Sequence, residues 1–298
     1  MLTVFGTIAL DTTRTPFHTV ERTLGGTATF ASISASNYVF TSIVGIVGHD
    51  FPASYLELLK NRVDIRGLTI SQTGKTFHYD SSFGYDLSKR TTNKTELNVI
   101  SNYQSTIPEE YVDSEYVYLA NNNPLQNMNV LKLFSKPKLI ICDTMDFWIM
   151  NGRDEVIKMI NKVDGIILNE SEAKLLFKES NIFTCARLLG SIGPAFAVIN
   201  KGENGSLLFY DNEFYPLPAY PIEIIRDPTG AGDSFGGAFV GYLSQQEKLD
   251  SKSLKNAMMH GNIMGSFAIE DYGIQKLVNI NADDIKNRYE KYKEIFSF

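Results

Sequence analysis

The sequence predicts an α/β protein in which a mainly parallel sheet is covered by helices on both faces. Compact runs of apolar and β-branched residues alternate with helical patterns along the chain, which is typical of this architecture. The 298 residues are enough for a sizeable core, and 43% of them are hydrophobic. We therefore expect residues 1–298 to form a single domain.

The elements that support this prediction follow one another in chain order. Each predicted strand is a short apolar run, and each predicted helix carries small or apolar residues at helical spacing. The predicted strands are Leu2–Ala9, Ile43–Val47, Tyr116–Ala120, Leu139–Cys142, Gly165–Leu168 and Ala195–Ile199, and the clearest helices are Ala28–Tyr38, Ala53–Asn61 and Ala257–Ala268.

Two stretches, at about residues 10–24 and 68–100, lack a helical period and predict β-hairpins outside the main sheet. Thr, Ser and aromatic residues alternate in the second stretch, which also contains the turn signal Gln72–Lys75. A disordered insertion is the alternative. The spacing of Phe77, Tyr79, Phe83 and Tyr85 favours ordered strands over disorder.

Composition and charge narrow the range of partners. Lys and Arg total 28 against 34 Asp and Glu, so the formal net charge is −6. The sequence contains no long basic run, which argues against nucleic acid as the main partner. Cys142 and Cys185 are far apart in apolar surroundings, which predicts neither a disulfide framework nor a cysteine metal site. Without a signal peptide or a run long enough to span a bilayer, we expect a cytoplasmic protein with no membrane partner.

The most informative segment is Asp227–Asp233, with the sequence Asp-Pro-Thr-Gly-Ala-Gly-Asp ahead of an apolar helical run. Gly230 and Gly232 allow a close backbone approach, and the free N–H groups at a helix start bind anions. Asp233 in that first turn could accept the proton of an attacking hydroxyl, which suits phosphoryl transfer to an alcohol. The alternative is an ordinary turn with a capping Asp. The segment has neither Walker nor dinucleotide-binding spacing.

Asp227–Val240 resembles the C-terminal signature of the ribokinase-like (PfkB) carbohydrate and nucleoside kinases. The resemblance implies a three-layer α/β/α fold, with residues 10–24 and 68–100 forming a small β-lid over the substrate. It also implies transfer of the γ-phosphate of ATP to a hydroxyl group. Asp233 would be the catalytic base, and the amides of Gly230, Ala231 and Gly232 would form the anion hole. Lid sheets in this family often form dimer interfaces, so a homodimer through the lid is an open alternative.

The same resemblance implies two groups of binding residues. The acceptor would contact Asp11, the Gly25-Gly26 pair, Asn122 and Asp143, although each could simply be a turn or loop residue. The nucleotide would contact Asn169, Glu172, Asn200, Gly202, His260 and Asn262. Asn169 and Glu172 resemble the family's Asn-x-x-Glu motif, which organises Mg²⁺ through water, but they also fit plain helix capping. Asp227, with the loop near Gly273, corresponds to a monovalent-cation site, such as one for K⁺, in some members.

Three residues depart from the family's sugar-binding pattern. Phe30 replaces a usual Asn that commonly reaches a substrate hydroxyl, which points to a different or less polar acceptor. Met145 and Phe147 replace an Asn and an Arg after Asp143. The side chains of Met145 and Phe147 could stack on a nucleoside or a sugar face, or Phe147 and Trp148 could belong to the core. We expect a small-molecule sugar as the acceptor. The alternatives are an adenosine-type nucleoside kinase and a non-catalytic sugar- or nucleotide-binding regulatory protein on the same fold.

Overall fold

The computed structural model describes residues 1–87 and 89–296. Its strands are β1 Leu2–Phe5, β2 Ala9–Arg14, β3 Thr19–Gly25, β4 Thr41–Val47, β5 Asp64–Ile70, β6 His78–Phe83, β7 Arg90–Glu96, β8 Tyr116–Leu119, β9 Leu139–Asp143, β10 Gly165–Asn169, β11 Phe196–Asn200, β12 Ser206–Tyr210 and β13 Glu213–Leu217. Its helices are α1 Thr27–Ala35, α2 Ala53–Lys60, α3 Pro124–Leu131, α4 Asp146–Ile160, α5 Glu170–Phe177, α6 Ile182–Ser191, α7 Ala231–Leu243, α8 Ser251–Ala268, α9 Gln275–Asn279 and α10 Ala282–Ile295.

The main sheet contains nine strands in the described part of the chain, in the order β13-β12-β11-β10-β9-β8-β1-β4-β5. The strands from β11 to β5 pair in parallel, and β12 and β13 continue the sheet in antiparallel fashion. In a parallel sheet the carboxyl ends of the strands meet at one edge, which is where ligands bind in open α/β folds. The mainly parallel sheet predicted from the sequence is confirmed.

Helices cover both faces of this sheet because its strands are apolar on both sides. Val4 points into a core shared with α1, α7 and α8, whereas the next residue, Phe5, points into a second core formed with α3–α6. This alternation produces the predicted three-layer α/β/α arrangement. Within residues 1–87 and 89–296, no helix is long and apolar enough to cross a membrane.

The second sheet contains the strands β3-β2-β6-β7, and we call it the lid. The predicted strand Leu2–Ala9 is wrong as a single element, because β1 ends at Phe5 in the main sheet and β2 begins at Ala9 in the lid. Gly6 lies at the break, where a Cβ atom would approach Thr27 Oγ1 to 2.7 Å. The close contact with the start of α1 redirects the chain from one sheet into the other.

The lid strands come from the two predicted segments, but the predicted start of the second segment, at residue 68, is too early. Residues Leu68–Ile70 belong to β5, where Leu68 pairs with Gly45 of the main sheet. Alternating polar and apolar residues are expected at a half-exposed edge strand as well as in a lid, so alternation alone could not separate the two. The lid itself uses His78–Phe83 and Arg90–Glu96.

Candidate active site

The segment before α7 forms a tight turn that exposes backbone N–H groups. Asp227 Oδ1 accepts a hydrogen bond of 2.9 Å from the Thr229 amide, and Gly230 has a φ of 79°, which strongly favours glycine. Gly232 is exposed, and a Cβ atom built there would meet nothing within 4 Å. The turn thus leaves open space beside the first amides of α7, as an anion site requires.

Asp233 lies in the first turn of α7, next to these amides. Burial raises the pKa of its carboxyl group to about 6, although the positive charge of Arg90 opposes the rise. A carboxylate with a pKa near neutrality is able both to accept and to release a proton. The predicted base therefore stands beside the predicted anion hole.

Phe30 does not line an acceptor pocket, contrary to the interpretation drawn from its family position. Its side chain is 1% exposed and lies in the core, and its ring would be 2.4 Å from a Cβ atom at Gly230. Phe30 therefore packs beneath the turn and makes glycine necessary there. The Phe30 ring supports the backbone and supplies no apolar surface to an acceptor, so the different or less polar acceptor inferred from the missing Asn stays a prediction.

Asp11 lies at the base of the lid, within β2. Its Oδ2 accepts a hydrogen bond of 3.1 Å from the Gly26 amide, and a Cβ atom at Gly25 would be 2.0 Å from the same oxygen. Its Oδ1 is buried without a partner. Burial, with smaller contributions from the negative charges of Asp227 and Asp233, raises the pKa of Asp11 to about 7. The Gly25-Gly26 pair fixes one oxygen and leaves the other for a hydrogen-bond donor.

Asp143 ends β9, as the sequence predicts, at the carboxyl edge of the main sheet. Its Oδ1 accepts from the Thr144 amide at 2.6 Å, and the Tyr118 hydroxyl lies 3.5 Å from its Oδ2. Burial and the nearby charges of Glu172 and Asp233 raise the pKa of Asp143 well above its usual range. Asp143, Glu172 and Asp233 therefore belong to one electrostatic cluster, although they come from separate elements.

A group of uncharged polar side chains extends this cluster beyond β8 and β9. The buried Oδ1 atoms of Asn121 and Asn122 and the Oγ1 of Thr144 have no hydrogen-bond partner. The Asn121 side-chain amide donates to the Met145 sulfur at 3.2 Å, and sulfur is a weak acceptor. Buried polar atoms left unpaired are costly, so this group has the chemistry of a polar ligand site.

The two aromatic residues after Met145 differ in position. The core interpretation is right for Trp148, which packs on the core formed with α3–α6, and wrong for Phe147, which is 45% exposed. Their rings meet edge to face, with centroids 4.8 Å apart. Phe147 thus presents an apolar surface at the start of α4.

Asn169 and Glu172 form a complete capping box at the start of α5. The Glu172 amide donates to Asn169 Oδ1 at 2.9 Å, and the Asn169 amide donates to Glu172 Oε2 at 2.8 Å. Burial raises the pKa of Glu172 to about 7, and the negative charges of Asp146 and Asp233 add to the rise. The pair therefore caps the helix and also holds a carboxylate beside Asp233, so capping and ligand binding do not exclude each other.

The remaining predicted nucleotide residues have different surroundings. Asn200 ends β11 with a buried, unpaired Oδ1, and Gly202 begins the following short 3₁₀ helix with open space around it. The Asn262 amide donates to the Tyr292 hydroxyl at 2.9 Å. The His260 ring is stacked between tyrosine rings of α7 and α10. Burial lowers the pKa of His260 to about 4. Asn262 and His260 thus contact neighbouring elements of the protein, and their role at a nucleotide stays a prediction.

Asp227 is almost fully buried at the start of the turn. Burial raises the pKa of its carboxyl group, and hydrogen bonds from Thr229, the Gly273 backbone and Thr13 reduce the rise. The structure thus brings Asp227 to the loop near Gly273, as the sequence predicts, and adds a contact from β2 of the lid.

Arg90 and Tyr118 are two site residues that the sequence analysis missed. Arg90 begins β7, and its positive charge partly offsets the rise in pKa that burial causes at Asp11, Glu172 and Asp233. Tyr118 is buried on β8 and reaches both Asp143 and helix α7, where a Cβ atom at Gly236 would be 2.0 Å from its hydroxyl. Neither residue lies in a recognisable motif, so only the fold relates them to the carboxylates.

A three-layer α/β/α core, a second β-sheet, open space beside the first amides of α7 and an adjacent carboxylate are the features expected of a small-molecule kinase. The sequence profile of the pfkB family carbohydrate kinases matches residues 6–280. The chain belongs to this family, and its identification from the sequence as a kinase is confirmed. Kinases of this family use ATP together with a divalent metal.

Relatives of known activity include nucleoside and sugar kinases. The chain is 31% identical over 258 residues to a cytidine kinase of Thermococcus kodakarensis, covering 84% of this chain and 90% of the relative. It is 25% identical over 274 residues to a nucleoside kinase of Methanothermobacter thermautotrophicus, covering 88% and 83% of the two chains.

Solved structures confirm the fold. The nucleoside kinase of Methanocaldococcus jannaschii superimposes with a TM-score of 0.78 at 20% identity, covering 97% of this chain and 98% of that one. The fructokinase of Vibrio cholerae O395 superimposes with a TM-score of 0.80 at 16% identity, covering 97% and 98%.

Proposed function

We propose that this kinase transfers the γ-phosphate of ATP to a hydroxyl group of a nucleoside. The main observation that supports an acceptor site here is the buried, unpaired Oδ1 of Asp11, because a ribose hydroxyl is a suitable hydrogen-bond donor to it. The similarity to a cytidine kinase and a nucleoside kinase over most of the chain favours a nucleoside. We therefore rank the nucleoside ahead of the free sugar that the sequence analysis placed first.

In the proposed reaction, the acceptor hydroxyl oxygen attacks the γ-phosphorus. A new oxygen–phosphorus bond forms while the bond between the γ-phosphorus and the β,γ-bridging oxygen breaks, and ADP leaves with that electron pair. Asp233 accepts the hydroxyl proton, and the amides of Gly230, Ala231 and Gly232 stabilise the negative charge on the transferring group. The turn geometry supports this assignment, because Gly232 borders open space next to Asp233.

Metal ions would assist this reaction at two places. The raised pKa of Glu172 reflects a buried carboxylate, which a bound cation stabilises, so Glu172 would hold Mg²⁺ through water beside the phosphates. Mg²⁺ would supply charge neutralisation of the phosphates. Asp227 would hold a monovalent cation such as K⁺, because a bound cation would neutralise this buried carboxylate and the hydroxyl groups of Thr13 and Thr229 lie next to it.

A free sugar is the second candidate acceptor. The polar group at Asn121, Asn122 and Thr144 offers unpaired hydrogen-bonding atoms that would suit sugar hydroxyls. Similarity to a ribokinase of Lactococcus lactis, 27% identical over 253 residues, favours the same alternative. Exposed Phe147, in contrast, favours a nucleobase, because its ring offers an apolar stacking surface.

The test is an ATP-consumption screen with Mg²⁺ over cytidine, the other ribonucleosides and deoxynucleosides, ribose, fructose and several sugar phosphates. We expect the highest kcat/KM with a ribonucleoside, and ³¹P NMR of its product would identify the phosphorylated hydroxyl. A tenfold preference for a free sugar would overturn the nucleoside assignment. Absence of turnover across the whole panel, despite measurable ligand binding, would instead favour the non-catalytic alternative.

A further inference from the structure

Arg90 is a lid residue that faces the carboxylate site. It is the first residue of β7, which is the outer strand of the lid, and it pairs with Phe83 across the β6–β7 ladder. Its Nη2 lies 3.9 Å from Asp146 Oδ1 at the start of α4. The lid therefore extends a positively charged side chain across the cleft towards the edge of the main sheet.

The direction of this side chain is set within the lid. The Arg90 guanidinium lies over the Tyr79 ring, 5.5 Å from its centroid, and the Tyr79 hydroxyl is hydrogen-bonded to Thr92 Oγ1 at 2.7 Å. An aromatic ring held in this way limits the rotamers of the arginine above it. Arg90 is thus oriented before any ligand arrives.

The contact with Asp146 only partly neutralises the positive charge of Arg90. Both side chains are about half exposed, and 3.9 Å is longer than a charge-assisted hydrogen bond, so the pair contributes little stability by itself. The same guanidinium influences Asp11, Glu172 and Asp233, which come from the lid, α5 and α7. Arg90 therefore lies within electrostatic range of three elements of the site.

The anion hole alone supplies only backbone N–H groups to the transferring phosphoryl group, which carries several negative charges among buried carboxylates. A planar guanidinium is suited to bind two phosphate oxygens at once. We propose that Arg90 is a catalytic residue that binds the transferring phosphoryl group when the lid covers the site. This inference rests on the proposed kinase reaction, and it couples covering of the site by the lid to stabilisation of the transition state.

The first experiment compares kcat for four variants. We expect Arg90→Gln to lower kcat by about 100-fold, with Arg90→Lys recovering only part, because an ammonium group cannot bind two oxygens in the same way. Asp146→Asn removes the ion-pair partner of Arg90 but leaves the guanidinium, so its kcat should stay within about threefold of wild type. Lys94→Gln, which removes a positive charge from the same strand, is the matched control, and its kcat should also stay within about threefold of wild type.

The second experiment measures binding and needs no acceptor to be identified. Affinity is compared for Mg·ADP alone and for Mg·ADP with aluminium fluoride, a mimic of the transferring phosphoryl group. We expect Arg90→Gln to weaken binding of the mimic at least tenfold while ADP affinity stays within about twofold. Failure of the wild-type enzyme to phosphorylate any acceptor would count against the proposed function, whereas this measurement would still test Arg90.

The opposite results would overturn the proposal. If Arg90→Gln and Asp146→Asn lower kcat equally, Arg90 only anchors the lid through the ion pair. If Arg90→Gln leaves both kcat and binding of the mimic within about threefold of wild type, Arg90 does not contact the phosphoryl group. Thermal melting of each variant checks that the comparison is made between folded proteins.

Discussion

The two halves of the candidate site differ in how they are built. The Gly230–Asp233 turn consists of backbone amides on the first turn of a buried helix, held by Asp227 and by the ring of Phe30 beneath Gly230. The lid half consists of side chains, with Asp11 at its base and the half-exposed Arg90 on its outer strand. The first half is fixed by packing, whereas the second depends on the position of a small four-stranded sheet within the described chain.

This difference suggests a division of labour between the halves. Backbone groups that stay in place stabilise charge without reorganisation, which is the main advantage of a preformed anion hole. Side chains on a separate sheet are able to select the acceptor and to exclude water. Changes in the turn should therefore affect kcat most, and changes at the base of the lid should affect acceptor binding most.

The largest expected effect is at Asp233. We expect Asp233→Asn to lower kcat by about 10³-fold while ATP affinity, measured by calorimetry, changes by less than about threefold. Asp211→Asn, in an exposed turn with a φ of 52° that Asn tolerates, is the matched control. A kcat of Asp233→Asn within tenfold of wild type would contradict the proton-acceptor role of Asp233. It would also weaken the contrast between the turn and the lid half of the site.

The glycines of the turn separate packing from catalysis. Gly230→Ala places a Cβ atom 2.4 Å from Phe30 at a positive φ, so we expect a loss of about 2–4 kcal/mol in the free energy of unfolding. Gly232→Ala meets no protein atom within 4 Å, so we expect unchanged or slightly higher stability. Its kcat should nevertheless fall by about tenfold or more, because the methyl group occupies the phosphoryl space.

Denaturant unfolding and steady-state kinetics on the same two variants check this contrast. Each variant acts as the control for the other, since both introduce one methyl group two residues apart. Normal kcat in Gly232→Ala would show that the open space beside the first turn of α7 is not used in phosphoryl transfer.

At the base of the lid, Asp11→Asn should act mainly on the acceptor. We expect the acceptor KM to rise about 10- to 100-fold with a smaller change in kcat, because an amide replaces one carboxylate oxygen with a donor. The KM for ATP should stay within about twofold. Asp50→Asn, which disrupts the Arg22 ion pair outside the site, is the control and should leave the acceptor KM unchanged. An equal rise in both KM values would place Asp11 outside the acceptor site.

The smallest effect is the pH dependence of stability without ligands. Burial raises the pKa values of Asp11 and Glu172 to about 7 and that of Asp233 to about 6, so folding favours their protonated forms. The stability that these groups contribute is complete below their unfolded pKa values near 4 and is lost as the pH rises through 6 and 7. We therefore expect Tm to fall by a few degrees between pH 5 and pH 8.

The variant Asp233→Asn should reduce this slope, since one of the three groups no longer ionises. Hydrogen bonds from Thr76, with Arg22, lower the pKa of Asp50, and Arg14 lowers the pKa of Asp80, so both remain ionised across this window and do not oppose the trend. A Tm that rises from pH 5 to pH 8 in the ligand-free protein would contradict the proposed cluster of buried carboxyl groups.

The sequence predicted the features that depend on the backbone. Short apolar runs identify the strands of the main sheet, and the glycines of Asp227–Asp233 identify the turn, because backbone conformation restricts which residues fit. It did not predict the break after Phe5, because an apolar run does not indicate which of two sheets each half joins. The boundary of the lid near Leu68 was wrong for a similar reason.

Side-chain positions across the fold were harder to predict. Phe30 and Phe147 both replace polar residues of the family pattern, yet one is buried beneath Gly230 and the other is exposed. Arg90 lies outside any motif and reaches the site only because β7 pairs with β6. Such positions depend on contacts between segments that are distant in the sequence, which local patterns do not encode.

The course of the chain from β1 directly into β2 has a consequence for the order of events during turnover. If the lid swings about this connection, residues close to the pivot travel little and residues on the outer strand travel far. Asp11, bonded to Gly26 beside the pivot, would keep its hold on the acceptor in open and closed forms alike, whereas Arg90 would reach the site only on closure. Under the proposed function, acceptor binding at Asp11 would then precede phosphoryl binding at Arg90.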